Sequence, residues 1–429
     1  MKKIIFVLFF IFFNPLIASH VVGGYVNVKQ LSQYEYNAEA IVYTDNNTIS
    51  STKELRLYRS NQGFYNLYQL VMVYQDTTYI DQGIHVTKYS VDFTLTSFAP
   101  GSYRLVLEEG GRGTFTNIGS NGGLFVGVDF TNFSTLNSTH YIPNSPPAFV
   151  THNPVKMIHA AHNQFSSLAI DPDGDSITYE YGDAMGNHLN STFVPVVPQT
   201  ALHTQYSQAG GSYTVHQNGQ VTWTPSHLGK FANSIIVKEY RNGQLIGINR
   251  KELTYQVVIG STLPISNLSG VNITPSHWST EIYKPLSWNM SFNIPQNCSV
   301  DIFGDSIKDQ IQLTQSGGNV YLNIPNSQFT AEGWHKVVIR IKNSSIVLDN
   351  LLMIHVIDTM GMEENKSKAL LFPNPFYDKL ESSDQGFLFS SDSKLVSEIK
   401  PGTNEVLDLP CGVYYFKSKN TEVKLVKVK

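Results

Sequence analysis

A two-residue alternation of polar and apolar side chains recurs along this chain, and it constrains the fold more than any other feature. Residues 33–42 alternate throughout, except at Ile41. Successive side chains of a β-strand point to opposite faces, so this is the period of a strand with one buried face. Similar runs occupy residues 54–58, 90–96, 103–107, 337–341 and 423–428. The pattern predicts an all-β chain.

Two Asn-Gly dipeptides lie between pairs of such runs and predict tight hairpins. Asn218-Gly219 and Asn242-Gly243 supply residues that adopt the positive φ angles of a type I′ turn. The twist of that turn matches the twist of the flanking strands. Helical periodicity is confined to residues 306–312, where we expect a short turn of helix.

Composition places the chain among globular proteins and argues against one class of partner. Of its 429 residues, 41% are hydrophobic and 12% aromatic, which is too apolar for a disordered chain. The 30 Lys and Arg residues are scattered among 34 Asp and Glu residues, and the net charge is -4. Nucleic-acid binding needs a clustered basic surface, so we expect no nucleic-acid partner.

Cysteine usage limits how the chain is stabilised. The only cysteines are Cys298 and Cys411, which fall in different predicted domains and lack the local motif of a thiol nucleophile. We predict that both are unpaired and that neither is catalytic. Stability must then come from buried apolar surface rather than from a disulfide framework.

The N-terminus has the three parts of a secretory signal peptide, over residues 1–19. Two lysines precede the apolar run of residues 4–13, and small residues follow at Ala18 and Ser19. The run is too short to span a hydrocarbon core about 30 Å thick, and no later stretch approaches the roughly 18 apolar residues that a spanning helix needs. We therefore predict an exported chain, cleaved near His20, with no transmembrane span in its mature form.

Clusters of Pro, Asn and Gly mark the boundaries between predicted domains. One cluster covers residues 141–147 and another covers residues 260–264. A polar stretch that is short of large apolar side chains is typical of a linker. The regular spacing of strands between these boundaries predicts tandem β-sandwiches. The predicted segments are a signal peptide at 1–19, an N-terminal β-domain at 20–147, a second domain at 148–262, a third β-sandwich at 263–360, a linker at 361–368 and a small C-terminal β-sandwich at 369–429.

The last predicted domain carries three sequence elements in a fixed order: an opening Pro-Asn-Pro, a central Leu-x-x-Gly-x-Tyr and a basic final strand. The motif residues are Pro373, Asn374, Pro375, Leu409, Gly412 and Tyr414. This order resembles the C-terminal sorting domain of type IX secretion cargo in Bacteroidetes, although Cys411 stands where a small or polar residue is usual. Physically, Pro-Asn-Pro sets a turn, and Gly412 predicts a tight backbone before the final hairpin. The resemblance implies the type IX secretion machinery as a partner, with the cell surface or the medium as destination.

Two further resemblances lie upstream. Residues 20–25 and 34–45 are similar to the first domain of gliding-motility-associated surface proteins, although Tyr25 stands where an acidic residue is usual and the Cys that usually follows the Asp is missing. Residues 168–179 and 221–225 resemble Ig-like or cadherin-like domains of the same proteins. These resemblances imply export and surface display, and they leave the ligand open.

Three carboxylates form the candidate cofactor site. Asp171, Asp173 and Asp175 sit at positions i, i+2 and i+4 between apolar runs. At this spacing they can converge on a hard cation such as calcium, with further carboxylates needed from a neighbouring strand or linker. The alternative is a polar turn set by the Pro and Gly between them.

The sequence carries no local motif that is typical of a catalytic site. The chain has no Gly-x-Ser-x-Gly elbow, and no segment predicts a helical or barrel catalytic domain. We therefore predict a non-enzymatic adhesion or structural binding protein, with an unidentified glycan or protein ligand. Aromatic stretches at residues 64–68 and 74–79 belong either to a sandwich core or to a stacking surface for such a ligand. The alternative is a secreted hydrolase acting on polysaccharide or protein, because type IX cargo often carries enzymes.

Overall fold

The structure is a computed structural model, and strands make up most of it. The described part contains thirty strands, one turn of α-helix and one 3-10 helix, which confirms the predicted all-β fold class. No helix in that part is long and apolar enough to cross a membrane. The predicted signal peptide and linker, residues 1–19 and 361–368, lie outside it. The structure describes residues 21–45, 50–60, 64–80, 83–95, 100–119, 123–134, 142–152, 155–186, 195–209, 211–260, 277–281, 286–327, 333–343, 347–357, 371–372, 376, 378–382, 385–390, 394–418 and 422–427.

The chain forms two compact units, Met1–Ile357 and Asp358–Lys429. The strands of the first unit are β1 (Val21–Gln30), β2 (Glu35–Thr44), β3 (Thr52–Ser60), β4 (Phe64–Ile80), β5 (Ile84–Thr94), β6 (Gly101–Glu109), β7 (Leu124–Asn132), β8 (Ala148–Phe149), β9 (Lys156–Ile158), β10 (Asn163–Ser166), β11 (Ala169–Ile170), β12 (Ser176–Gly182), β13 (Thr214–Val215), β14 (Gln220–Trp223), β15 (Gly229–Arg241), β16 (Gln244–Val258), β17 (His277–Glu281), β18 (Leu286–Asn293), β19 (Ser299–Gly304), β20 (Gln312–Ser316), β21 (Asn319–Ser327), β22 (Gly333–Lys342) and β23 (Val347–Ile357). Its helices are α1 (Leu202–Gln205) and the 3-10 helix Ser306–Gln310. The strands of the second unit are β24 (Leu371–Phe372), β25 (Lys379–Ser382), β26 (Gly386–Ser390), β27 (Leu395–Ile399), β28 (Gly402–Glu405), β29 (Gly412–Ser418) and β30 (Glu422–Lys427).

Most of the local features that the sequence predicts are present. In β2 the apolar residues of the alternation are all buried, so one face of the strand packs on the core. Both predicted hairpins form, and Asn242 and Gly243 have the positive φ angles of a type I′ turn, +52° and +77°. The predicted type I′ turn at Asn218-Gly219 is wrong, because only Gly219, at +83°, has a positive φ there. The predicted turn of helix is the 3-10 helix Ser306–Gln310, where the side chain of Asp305 accepts the backbone N–H of Ile307.

The N-terminal strands close into a circuit. The order β1-β2-β5-β4-β3-β6-β7 is hydrogen-bonded throughout, and β7 then pairs with β16. β1 pairs with β16 as well, with Gly24 opposite Glu252, while β7 places Val128 opposite Asn249. Both ends of this run of strands therefore meet the same strand, and the sheet closes around one apolar core.

Two consecutive glycines permit this closure. A Cβ on Gly23 would lie 2.7 Å from the backbone oxygen of Glu252, and one on Gly24 would lie 2.7 Å from that of Ile41. Real Cβ atoms do not approach an oxygen so closely. β1 can therefore lie between β2 and β16 because both residues lack a side chain.

The same sheet continues into the second predicted domain. Its order runs on from β7 through β16 and β15 to β12, so residues 20–147 and 148–262 contribute to one eleven-stranded sheet. A core cluster also includes side chains from both segments, among them Tyr25 and Trp223. The boundary between these segments stays a prediction, but the packing across it is continuous.

A buried ion pair joins strands of the second and third predicted domains. β10 pairs in parallel with β23, which pairs with β22 in the same seven-stranded sheet. The carboxylate of Asp349 on β23 accepts two bonds of 2.8 Å from Arg340 on β22, and it also accepts the Ser166 backbone N–H of β10 at 2.6 Å. The side chains of Arg340 and Asp349 are 5% and 1% exposed. A single carboxylate thus fixes three neighbouring strands.

The second unit has its own core between two sheets. Their strand orders are β24-β25-β28 and β27-β26-β29-β30. The buried core residues are Phe376, Leu380, Leu388, Ile399, Val406, Tyr414, Phe416 and Leu425. All of them belong to this unit, so its stability has a source independent of the rest of the chain.

The sorting-motif residues fall at different places in this unit. Pro373, Asn374 and Pro375 lie outside the described residues. Leu409 packs against the core. Gly412 is the first residue of β29, and a Cβ added there would meet no heavy atom within 4 Å. The predicted tight backbone at Gly412 is therefore wrong, because the residue lies in extended structure with open space beside it.

Candidate functional site

The acidic loop between β11 and β12 is folded around Asp171. Its Oδ1 accepts the backbone N–H of Asp173 at 3.0 Å and that of Asp175 at 2.9 Å. Gly174, with φ of +83°, supplies the left-handed residue that the tight loop needs. This arrangement leaves Oδ2 of Asp171 buried, with no hydrogen-bond partner among the described residues.

The other two aspartates point to different partners. Oδ2 of Asp173 accepts the backbone N–H of Ser145 at 2.5 Å. Asp175 accepts both Nε and Nη2 of Arg241, the latter at 2.5 Å, and Nη1 of Arg241 donates to the backbone oxygen of Pro143. The loop is thereby fastened to residues 143–145, the segment at which the predicted N-terminal domain ends.

Glu239 takes the third place in the acidic cluster. It lies on β15 opposite Ile177, the second residue of β12, so its side chain reaches the loop that precedes β12. Carboxylate oxygens of Asp171, Asp175 and Glu239 lie within 4.8 Å of one another. The sequence-predicted set of Asp171, Asp173 and Asp175 is thus brought together only in part, since Asp173 is engaged elsewhere.

Glu239 is fully buried, at 0% exposure. Neither of its carboxylate oxygens accepts a hydrogen bond from the described residues. On its other side it faces Gly247 of β16, where an added Cβ would lie 2.1 Å from Oε2. The absence of a side chain at Gly247 therefore creates the space that the carboxylate occupies.

The cluster perturbs the proton affinities of its members. The pKa of Glu239 is raised to about 9, mainly by burial and then by the nearby charges of Asp171 and Asp175, whereas Arg241 opposes the shift. Burial also raises the pKa of Asp171 to about 6, against the lowering effect of the two backbone N–H groups that it accepts. Arg241 offsets the charge of Asp175, and the other two carboxylates need a further positive charge, which either a proton or a bound cation supplies.

The chemistry of these donors fits a hard cation. Carboxylate oxygens are the ligands that calcium prefers, and Asp171 and Glu239 together offer three oxygens that accept no hydrogen bond from the described residues. In its protonated form the Glu239 carboxyl hydrogen-bonds Asp175, so an ion would replace that proton. A catalytic role fits less well, because a substrate cannot reach a carboxylate at 0% exposure. Calcium at this loop stays a prediction, with Glu239 in place of Asp173 as the third ligand.

Sequence reasoning missed Glu239 and Arg241, although a signal for Glu239 was present. Ile235, Val237 and Glu239 occupy alternate positions of one strand, and the first two are fully buried. The alternation therefore places Glu239 on the inward face, where an acidic residue needs a partner. What the sequence did not show was which loop would lie beside it.

The remaining predicted features are placed as follows. Cys298 and Cys411 are both free, as predicted. Side chains of Phe64, Tyr65 and Tyr68 lie outside the described part. Of the second aromatic stretch, Tyr74 and Tyr79 are exposed, at 37% and 61%, so these two rings are not sandwich core.

Comparisons with known proteins add structural neighbours but no family. No family model matches the chain, and no curated protein matches it. Among solved structures, a tandem of titin Ig domains is 13% identical, with 48% of this chain and 93% of that chain covered and a TM-score of 0.18. A titin fragment of three Ig domains is 8% identical, with 79% and 99% covered and a TM-score of 0.16.

An enzyme is also among the structural neighbours. An endo-fucoidan hydrolase of glycoside hydrolase family 107 is 12% identical, with 49% of this chain and 35% of that chain covered and a TM-score of 0.18. TM-scores this low carry no information on ligand or activity. The all-β assignment rests on the strands of the chain itself.

Proposed function

We propose that this chain is an exported, non-enzymatic binding protein of the adhesion type, whose C-terminal unit is a sorting domain for type IX secretion. In this proposal the signal peptide directs it through the inner membrane, and the secretion machinery recognises the second unit. The protein is then displayed on the outer surface or released. The first unit carries the binding function towards a surface glycan or protein.

One observation supports the export part of the proposal: Phe376, Tyr414 and the basic last strand, which lie beside or within the sorting motif, meet in one core. Phe376, which directly follows the Pro-Asn-Pro segment, donates its backbone N–H to Val426 of the last strand. Its ring lies 6.1 Å from that of Tyr414, the Tyr of the central motif. The ammonium group of Lys427 in the basic last strand is buried and donates to the backbone oxygens of Val406 and Leu407. The contacts of Phe376, Tyr414 and Lys427 therefore support the resemblance.

Deleting residues 369–429 tests this proposal. Because the second unit has its own core, the first unit should keep its thermal transition after the deletion. The truncated chain should lose its signal peptide and then accumulate in the periplasm, while the full chain reaches the surface or the medium. Cell fractionation with protease accessibility measures both.

Two point variants separate folding of the second unit from recognition of its surface. Phe376→Ala removes a ring at 0% exposure and should reduce export by unfolding the second unit. Phe387→Ala removes a 45% exposed ring on the surface of the same unit and serves as the matched control. Normal surface levels of the truncated chain would refute the sorting role. Degradation of the truncated first unit would show that the second unit is structurally required.

The hydrolase alternative is tested separately, with a panel of polysaccharide and protein substrates. Turnover of any of them by the purified chain would overturn the non-enzymatic part of the proposal and leave the export part intact. We expect no turnover.

A further inference from the structure

A cleft of about 540 Å³ lies in the first unit, between the end of β4 and the strands of the third predicted domain. This volume is within the range of ligand pockets, roughly 300–1,000 Å³. One lining residue, Tyr79, is 61% exposed. The aliphatic lining residues are Ile80, Val300, Ile302, Ile311, Leu313 and Val347.

The cleft follows the edge of β19. It touches residues 300–303, which are four consecutive residues of that strand. Successive side chains point to opposite faces, so a cavity that touches all four reaches the edge of the strand. Through Arg340, Lys342 and Val347 it also extends over one face of the neighbouring strands β22 and β23. β19 is the terminal strand of its sheet, and β22 is its only strand partner among the described residues.

β4 presents a second edge to the same cleft, through Thr78, Tyr79 and Ile80. The pairing of β4 with β3 extends no further than Val73, opposite Thr52, and from Val73 to Ile80 its partner is β5. Over these last residues the other edge of β4 carries no strand in the described part. Unpaired strand edges expose backbone N–H and C=O groups that can pair with another chain.

We propose that this cleft binds an extended peptide segment of a partner protein, which adds as a strand to the edge of β19. The inference rests on the proposed binding function and supplies its ligand class. Strand addition would satisfy the edge's backbone groups, while alternate peptide side chains pack against the aliphatic wall. The six aliphatic side chains and the rings of Tyr79 and Phe303 offer apolar contacts that suit apolar peptide side chains better than the hydroxyl groups of a sugar.

Charge adds a preference for acidic peptides. Lys342 is paired with Asp301 at 2.8 Å, and the charge of Arg340 is matched by its buried partner. Lys308 is 44% exposed, and its ion pair is with Asp309 at 3.7 Å, a carboxylate that is itself 76% exposed. Such a surface pair contributes little, so Lys308 remains available to an acidic residue of the peptide.

Selection of phage-displayed random dodecapeptides on the full chain lacking only residues 1–19 tests the proposal. We expect enrichment of peptides with alternating apolar residues and at least one acidic residue, and synthetic copies should bind in fluorescence anisotropy. Leu313→Lys, at a 37% exposed residue of the cleft, should weaken binding at least tenfold. Tyr321→Lys, at a 50% exposed residue of the adjacent β21 outside the cleft, should leave it unchanged.

Hydrogen exchange of the complex locates the bound peptide without any substitution. Those backbone N–H groups of residues 300–303 that point away from β22 should gain protection. The inference would be overturned if no peptides were enriched, or if the bound peptides did not depend on Leu313 and did not protect β19. Glycan binding that Leu313→Lys abolishes would also overturn it and would assign the cleft to a sugar. Surface display is measured independently: a displayed protein that binds no peptide defeats this inference alone, whereas a peptide-binding protein that is not exported defeats the export proposal alone.

Discussion

Replacing Asp349 with Ala is expected to lower the free energy of unfolding by about 3–5 kcal/mol, the usual cost of leaving one partner of a buried ion pair without the other. The substitution leaves the buried guanidinium of Arg340, whose side chain is 5% exposed, without its carboxylate partner. It also removes the acceptor of the Ser166 backbone N–H. Urea denaturation of the full chain, followed by tryptophan fluorescence and circular dichroism, measures the loss.

The control is the double variant Arg340→Met with Asp349→Leu. Apolar residues of similar volume remove both charges together, so this variant should lose less stability than Asp349→Ala alone. A surface pair provides a second comparison, because Lys238→Ala breaks an ion pair whose partner Glu180 is 44% exposed and should cost at most about 1 kcal/mol. A loss below about 1 kcal/mol for Asp349→Ala would show that the buried pair of Arg340 and Asp349 contributes little to the stability of the fold.

Calcium at saturating concentration is expected to stabilise the first unit, because an ion that binds only the folded state adds about 2.7 kcal/mol at a hundredfold excess over its Kd. Glu239→Gln should abolish this gain. Glu180→Gln, on the neighbouring strand β12 but outside the acidic cluster, is the matched control and should retain it. Differential scanning calorimetry in calcium and in chelator measures the shift in Tm.

Asp173→Asn decides between the ligand sets. If the three aspartates of the sequence pattern hold the ion, this variant loses the calcium response. If Asp171, Asp175 and Glu239 hold it, the response remains, because Asp173 instead accepts the Ser145 backbone N–H. An unchanged Tm of the wild-type chain with and without millimolar calcium would leave the polar turn as the only interpretation.

The pH dependence in chelator gives an independent test of Glu239. Its pKa is raised from 4.5 to about 9 in the folded state, mainly by burial, so the folded protein holds a proton that the unfolded chain releases. Stability should therefore fall as pH rises from about 4.5 to about 9. Glu239→Gln removes the ionisation and should flatten this decline, and calcium should oppose it in the wild-type chain by replacing the proton.

The sequence by itself determined the local structure of this protein. The alternation along residues 33–42 predicted a strand that the structure contains as β2, and Asn242-Gly243 predicted the hairpin between β15 and β16. These features follow from short-range rules: a period of two buries one face of a strand, and only residues that tolerate positive φ fit a type I′ turn. Applied to β15, the same period of two would put Glu239 on the inward face beside Ile235 and Val237, but it does not say what the side chain meets.

The tertiary structure decided which distant segments meet. Pairing of β1 and β7 with the same edge of β16 closes the N-terminal sheet, and pairing of β12 with β15 brings Glu239 to the aspartate loop. Asp349 likewise reaches the backbone of Ser166, 183 positions away in sequence. Such contacts depend on the register between strands far apart along the chain, and an alternating pattern is compatible with many partners and registers. The acidic cluster and the edge cleft therefore arise from long-range pairing, which no local sequence pattern specifies.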